Sequence, residues 1–147
     1  MSTSKHYLEG KNKWFDAVQF QQHSGDAYAL VTVLGCTGST PRDHSSKMVI
    51  TAEETFDTIG GGHLEYLVMQ KAREIITSNS VLQEIHHFPL GASLGQCCGG
   101  SATVLFESFA AAEVNIMLFG AGHVGKALVS VLSQLPCRVH WVDSREH

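Results

Sequence analysis

Between Lys13 and Gln22, Trp14, Ala17, Val18 and Gln21 recur at helical spacing before the stop signal Ser24-Gly25, which predicts an amphipathic first helix. Its ordinary role is to cover a sheet. Tyr28 to Leu34 is a nearly continuous apolar, β-branched run and reads as a buried strand. Gly35 to Arg42, with two glycines and a proline, reads as a loop; Lys47 to Thr51 is a second strand and Thr55 to Ile59 a short third one. After the triple glycine Gly60-Gly61-Gly62, Leu64, Leu67, Val68, Ala72, Ile75 and Ile76 mark a helix that ends near Ser78-Asn79. Val81 to Phe88 alternates as a strand, with Leu82, Glu84, His86 and Phe88 on one face and Val81, Gln83, Ile85 and His87 on the other. A glycine-rich loop from Gly91 to Gly100 leads into a buried strand, Ala102 to Phe106. Ser108 to Glu113 is small and lacks periodicity, so a domain boundary is expected there.

Beyond it the pattern changes. Val114 to Phe119 is an apolar strand running into Gly120-Ala121-Gly122-His123-Val124-Gly125, then a helix through Leu128, Val129 and Leu132, then the strand Arg138 to Val142 with Asp143 at its end. This is the order of a Rossmann opening: one glycine for the turn, one for approach of a pyrophosphate to the backbone, one for close helix packing. The helix N-terminus offers unpaired N–H groups to an anion, and Asp143 stands where a carboxylate can accept from ribose hydroxyls. Arg145 nearby also suits a phosphate on the ribose, so the nucleotide type stays open. The expected fold is therefore α/β: a small mixed α/β N-terminal domain over 1–112, followed over 113–147 by the incomplete β-α-β start of a Rossmann domain. Two such strands alone leave apolar edges unpaired, so a fragment, or a homo-oligomer that shares strands, is expected.

Composition narrows the class. With 44% hydrophobic residues, 16% charged and a net charge of -4, no basic footprint for nucleic acid exists. No apolar run is long enough to cross a bilayer and the polar start lacks a secretory signal, so a cytoplasmic protein is expected. Four cysteines, Cys36, Cys97, Cys98 and Cys137, are too few for a disulfide scaffold and fit a reduced compartment.

Three further segments carry candidate chemistry. In Leu94-Gly95-Gln96-Cys97-Cys98-Gly99-Gly100, vicinal thiols lie among glycines whose N–H groups can stabilise a thiolate, which suits sulfur handling or a soft ligand. No second pair of ligands at zinc spacing follows, so a zinc site is not expected. An idle surface cysteine beside a buried one explains the pair equally well. The loops Gly35 to Arg42 and Ile59 to Glu65 both follow strands and are rich in small residues, as an anion-binding nest requires. Arg42 and Lys47 add cationic groups for phosphate. Glu65 is the candidate acid or base, although a carboxylate in the first turn of a helix more often complements its dipole. His86 and His87, on opposite faces of a strand, cannot both line one site.

Taken together, Gly38-Ser-Thr-Pro-Arg42, Lys47-Met48, Ile59-Gly-Gly-Gly-His-Leu-Glu65, Gly95-Gln-Cys-Cys-Gly-Gly100 and Phe119-Gly-Ala-Gly-His-Val-Gly125 resemble the XdhC/CoxI family of xanthine dehydrogenase accessory proteins. The resemblance implies a carrier and maturation chaperone rather than an enzyme. Such a protein binds molybdenum cofactor, protects it while a cysteine desulfurase exchanges an oxo ligand for sulfur, and hands it to apo-xanthine dehydrogenase. It nominates Gln96, Cys97 and Cys98 as cofactor or sulfur contacts, with the loops around Arg42 and from Gly60, Gly61 and Gly62 to Glu65 lining the same cleft. Family members of full length complete the Rossmann domain, whereas this chain stops four residues after Asp143.

Two other classes stay open. An NAD(P)-binding oxidoreductase or redox sensor would use Gly120, Gly122, Gly125 and Asp143 as its main site. A thiol-based sulfurtransferase would act through Cys97 or Cys98 without a pterin.

Overall fold

The structure is a computed structural model that describes residues 13–37, 45–90 and 100–144. The fold is mixed α/β. Helix α1 (Trp14–Ser24) precedes strands β1 (Tyr28–Thr37), β2 (Lys47–Ile50) and β3 (Thr55–Asp57). Helix α2 (Gly62–Thr77), β4 (Leu82–Leu90) and β5 (Gly100–Phe109) follow, then β6 (Val114–Phe119), α3 (His123–Leu132) and β7 (Cys137–Val142).

Strands β1 to β5 form one antiparallel sheet in the order β3-β2-β1-β5-β4. Its two faces are dressed by different helices, as the two-residue alternation of strands dictates. Ala29, Val31, Val33, Met48, Ile50, Val104 and Phe106 meet Val68, Ala72 and Ile75 of α2 in the main core. On the opposite face, Tyr28, Val49 and Phe56 pack against Ala17, Trp14 and Val18 of α1, and the Tyr28 ring stacks on Phe109 with centroids 4.6 Å apart. Each fully buried side chain of this size contributes roughly 1.5–3 kcal/mol of apolar transfer energy, so the α2 face carries most of the stability.

The segment Gly35–Thr37, expected to be loop, belongs to β1. A register shift between Val33 and Gly35 absorbs Leu34, after which Gly35, Cys36 and Thr37 pair with Thr103, Ala102 and Ser101. The Thr37 hydroxyl lies 3.0 Å from that of Ser101 and accepts the Ser101 N–H at 3.0 Å, which pins the tip. β5 likewise runs past the expected Phe106 to Phe109, because Ser108 is buried, accepting the Leu82 N–H and donating to the Ser80 carbonyl.

β6 and β7 pair in parallel, in register from Val114↔Cys137 to Phe119↔Val142, with α3 between them in sequence. This β-α-β unit joins the main sheet through few groups. Gly25, in the left-handed conformation that ends α1 (φ +71°), accepts the Ala112 N–H at 2.9 Å and an Arg138 N–H at 3.2 Å. Arg138 also forms an ion pair with Asp26. Beyond this junction Met117, Phe119, Val124, Val131 and Trp141 are exposed. No helix among the described residues is long and apolar enough to cross a membrane.

Candidate functional site

The sheet has one stepped end. β2 begins at Lys47, level with Thr32, and β3 ends at Asp57, level with Met48, whereas β1 runs on from Thr32 to Thr37. Because Leu34 is absorbed by the register shift, the β1-β5-β4 arm advances four paired positions, from Leu105 to Ser101 on β5, which at about 3.3 Å per residue project it roughly 13 Å beyond β2 and β3. Thr37 and Ser45, which flank segment 38–44, belong to this end, as do Leu90 and Gly100, which flank segment 91–99. The turn from β3 into α2 starts here too. Arg42, Gln96, Cys97 and Cys98 themselves lie outside the described residues.

The turn into α2 is built around Glu65. Its carboxylate accepts the Thr58 hydroxyl and the N–H groups of Ile59 at 3.1 Å and Gly61 at 2.8 Å. Burial pushes the Glu65 carboxyl upward, but donation by Thr58 and by the N–H groups of Gly61, Ile59 and Gly60 outweighs it, so the net shift is downward. Glu65 is thus a fixed carboxylate bound by its own loop, which takes up N–H groups that an anion nest would otherwise present. Gly61 and Gly62 have φ of +70° and +68°, and a Cβ on either would meet nothing within 4 Å. They are glycines for conformation, and the backbone beside them is open.

Lys47 points the other way. Its ammonium donates to Thr32 Oγ1 at 2.7 Å and lies 5.6 Å from the centre of the Trp14 ring, on the face covered by α1. Thr32 lies on the α1 face and Val31 on the α2 face, so the sheet stands between this ammonium and Glu65. The two share an end of the sheet without sharing a face. His86 and His87 fall on opposite faces, His86 with Glu84 at 2.8 Å and His87 with Thr103 at 3.0 Å. Cys36 packs against the main core, and Cys137 donates its thiol to the Leu132 carbonyl at 3.3 Å.

The glycines of the β-α-β unit form a second, separate arrangement. Gly120 has φ +100°, and a Cβ on Gly122 would meet nothing within 4 Å. A Cβ on Gly125 would fall 2.2 Å from the Gly120 carbonyl oxygen. The three positions thus differ: Gly120 turns, Gly122 leaves the backbone open, and Gly125 lets α3 close on β6. Asp143 accepts the Ala121 N–H, and the Trp141 indole donates to the Gly120 carbonyl at 3.0 Å. This turn lies at the far end of β6 from the Gly25 junction, and the junction is at the end of the main sheet opposite the step. The two arrangements are therefore not brought together.

Sequence reasoning missed the Arg138 contacts to Gly25 and Asp26, the donors that hold Glu65 and the Trp141 bond to Gly120. Only Glu65 carried a signal, since its place in the first helical turn already suited an N-terminal acceptor.

Residues 21–88 match the model of the XdhC and CoxI family. The uncharacterized protein YqeB of Escherichia coli is 30% identical over 106 residues, covering 69% of this chain and 19% of that protein. The chain spans about a fifth of the length of this curated relative. A crystal structure of a xanthine dehydrogenase from Bacillus halodurans shares the fold, with a TM-score of 0.52 and 15% identity over 83% of this chain and 34% of that one. The family match covers β1 to β3, α2 and most of β4, so over that stretch, which holds much of the stepped end, the chain is similar to the XdhC and CoxI family.

Proposed function

We propose that the chain is the cofactor-binding part of a xanthine dehydrogenase-related accessory protein, which holds molybdenum cofactor during sulfuration and passes it to a xanthine dehydrogenase-type molybdoenzyme. One observation carries this reading. The flanks of segments 38–44 and 91–99 and the Gly60–Gly62 turn converge on the stepped end of one sheet, largely within the stretch that matches the family. On this reading residues 1–112 form the cofactor domain and 113–147 the start of a nucleotide-binding one.

The chemistry of the residues fits an anionic pterin phosphate with a sulfur-bound metal. Open backbone at Gly61 and Gly62 admits a close approach. Because Ile59 and Gly61 already donate to Glu65, Arg42 serves as the charge partner of the phosphate and Glu65 serves to hold the turn, while Lys47 stays with Thr32 and Trp14 on the other face. Cys97 and Cys98 supply thiols for the soft end. When bound, the cofactor supplies the molybdenum centre of the recipient enzyme; the chain's own residues bind it, orient it and exclude water. A cysteine desulfurase is the sulfur source in this scheme.

A second reading seats a nucleotide, NAD(P) or the nucleotide half of a dinucleotide cofactor, on the Gly120–Gly125 turn. The open backbone at Gly122 and the Asp143 carboxylate at the turn favour it.

Anaerobic incubation with purified molybdenum cofactor, followed by molybdenum analysis of the desalted protein, tests the first reading. Stoichiometric metal in wild type and its loss in Cys97→Ala or Cys98→Ala is the expected result. A wild-type chain that retains none defeats the carrier reading.

A further inference from the structure

Among the described residues β4 forms one edge of the five-stranded sheet and pairs only with β5. Natural edge strands are short, bulged, or guarded by lysine or proline, because their unpaired groups otherwise recruit another chain. The opposite edge, β3, has three residues. β4 has nine, follows β5 without a register shift, contains no lysine, and has its one proline, Pro89, next to its end. The Leu82 N–H is directed to Ser108 of β5. By the alternation of antiparallel strands, Gln83, Ile85 and His87 then turn their N–H and C=O groups outward. Ile85, at the middle of this edge, is 56% exposed.

The residue types around Ile85 are self-complementary. Antiparallel pairing of two β4 strands about a two-fold axis at Ile85 sets Ile85 against its own copy, Glu84 against His86, Gln83 against His87, and Leu82 against Phe88. Ile85 with Ile85 and Leu82 with Phe88 are apolar matches, Glu84 with His86 sets acid against base, and Gln83 with His87 sets polar against polar. Leu82, Glu84, His86 and Phe88 are half-buried on the α2 side, whereas Gln83, Ile85 and His87 are exposed on the other, so both faces continue across the axis. Centring the axis on Glu84 or His86 instead opposes Leu82 to His86 or Glu84 to Phe88, and the matching is lost.

We propose that β4 is a homodimer interface: a second copy of this chain adds to the sheet edge through backbone hydrogen bonds, with its register fixed by Ile85 and by the Glu84–His86 pair of each copy standing opposite that of the other. This interface is independent of any cofactor.

The test uses the whole 147-residue chain without ligand. Sedimentation is expected to give twice the 16.0 kDa chain mass for wild type, and the single-chain mass for Ile85→Lys, which opposes two ammonium groups at the axis. A hydrogen-bonded antiparallel pair holds its Cα atoms about 5.5 Å apart, within disulfide range. Mild oxidation of Ile85→Cys is therefore expected to give a covalent dimer linked at the introduced thiols by peptide mapping. Val81→Cys, more exposed than Ile85 but opposed to Pro89, is expected to give none. Circular dichroism establishes that each variant is folded. A monomeric wild type, a dimer that survives Ile85→Lys, or linkage at Val81→Cys equal to that at Ile85→Cys overturns the proposal.

Discussion

Gly125 lies so close beneath Gly120 that a Cβ placed on it would fall 2.2 Å from the Gly120 carbonyl oxygen. Backbone is the obstacle, so no side chain can rotate away to make room. Gly125→Ala must therefore push α3 off β6 and disturb the β-α-β unit, at a cost in the overpacking range of about 1–3 kcal/mol. Faster hydrogen exchange over residues 114–142, with the main sheet unchanged, is the expected result. Unaltered protection there would contradict this packing.

The junction at the other end of that unit rests on Gly25. A side chain there needs the left-handed backbone, and its Cβ would lie 3.0 Å from Ala112 Cβ and 3.3 Å from Arg138 Cβ. Gly25→Ala is expected to destabilise by roughly 1–2 kcal/mol from the backbone conformation alone. Arg138→Ala, which removes the contacts to the Gly25 carbonyl and Asp26, should free the β-α-β unit while sparing the main core. Limited proteolysis near Ala110–Glu113 measures that; equal cleavage rates in Arg138→Ala and wild type would count against the junction.

Glu65 makes stability depend on pH in a defined direction. Its carboxyl titrates below the ordinary 4.5 in the folded chain, because the donors from Thr58, Gly61, Ile59 and Gly60 outweigh the opposing effect of burial. The stabilisation is present above the unfolded value and disappears as pH falls through the folded one. Denaturant midpoints taken downward from about pH 6 should fall more steeply for wild type than for Glu65→Gln, with the two curves converging in acid. Parallel curves would mean that the carboxylate contributes no pH-linked stability.

These residues also show what could and could not be read from the chain. Helical spacing at Trp14, Ala17 and Val18 and at Val68, Ala72 and Ile75 marked the two helices that cover the main sheet, because burial on one face imposes a period that sequence records directly. The alternation of Leu82, Glu84, His86 and Phe88 gave the faces of β4 for the same reason. The extension of β1 through Gly35 was hidden, since a bulge that absorbs Leu34 breaks alternation while keeping pairing. Lys47 was expected to serve phosphate beside the glycine turn, but which face a strand-end cation takes depends on register with β1, and register is a tertiary property. The Arg138 junction joins residues 113 positions apart and has no local signature. The family resemblance, by contrast, rested on short motifs in fixed order, and the match over residues 21–88 agrees with it.

The most direct test of the carrier reading separates the stepped sheet end from the Gly120–Gly125 turn. Anaerobic gel filtration with purified molybdenum cofactor should give co-elution with wild type and with Asp143→Asn. Affinity should weaken by about tenfold or more, equivalent to ~1.4 kcal/mol, in Cys97→Ala or Cys98→Ala. Undiminished binding by both cysteine variants together with loss in Asp143→Asn would place the cofactor on the glycine turn and contradict the account.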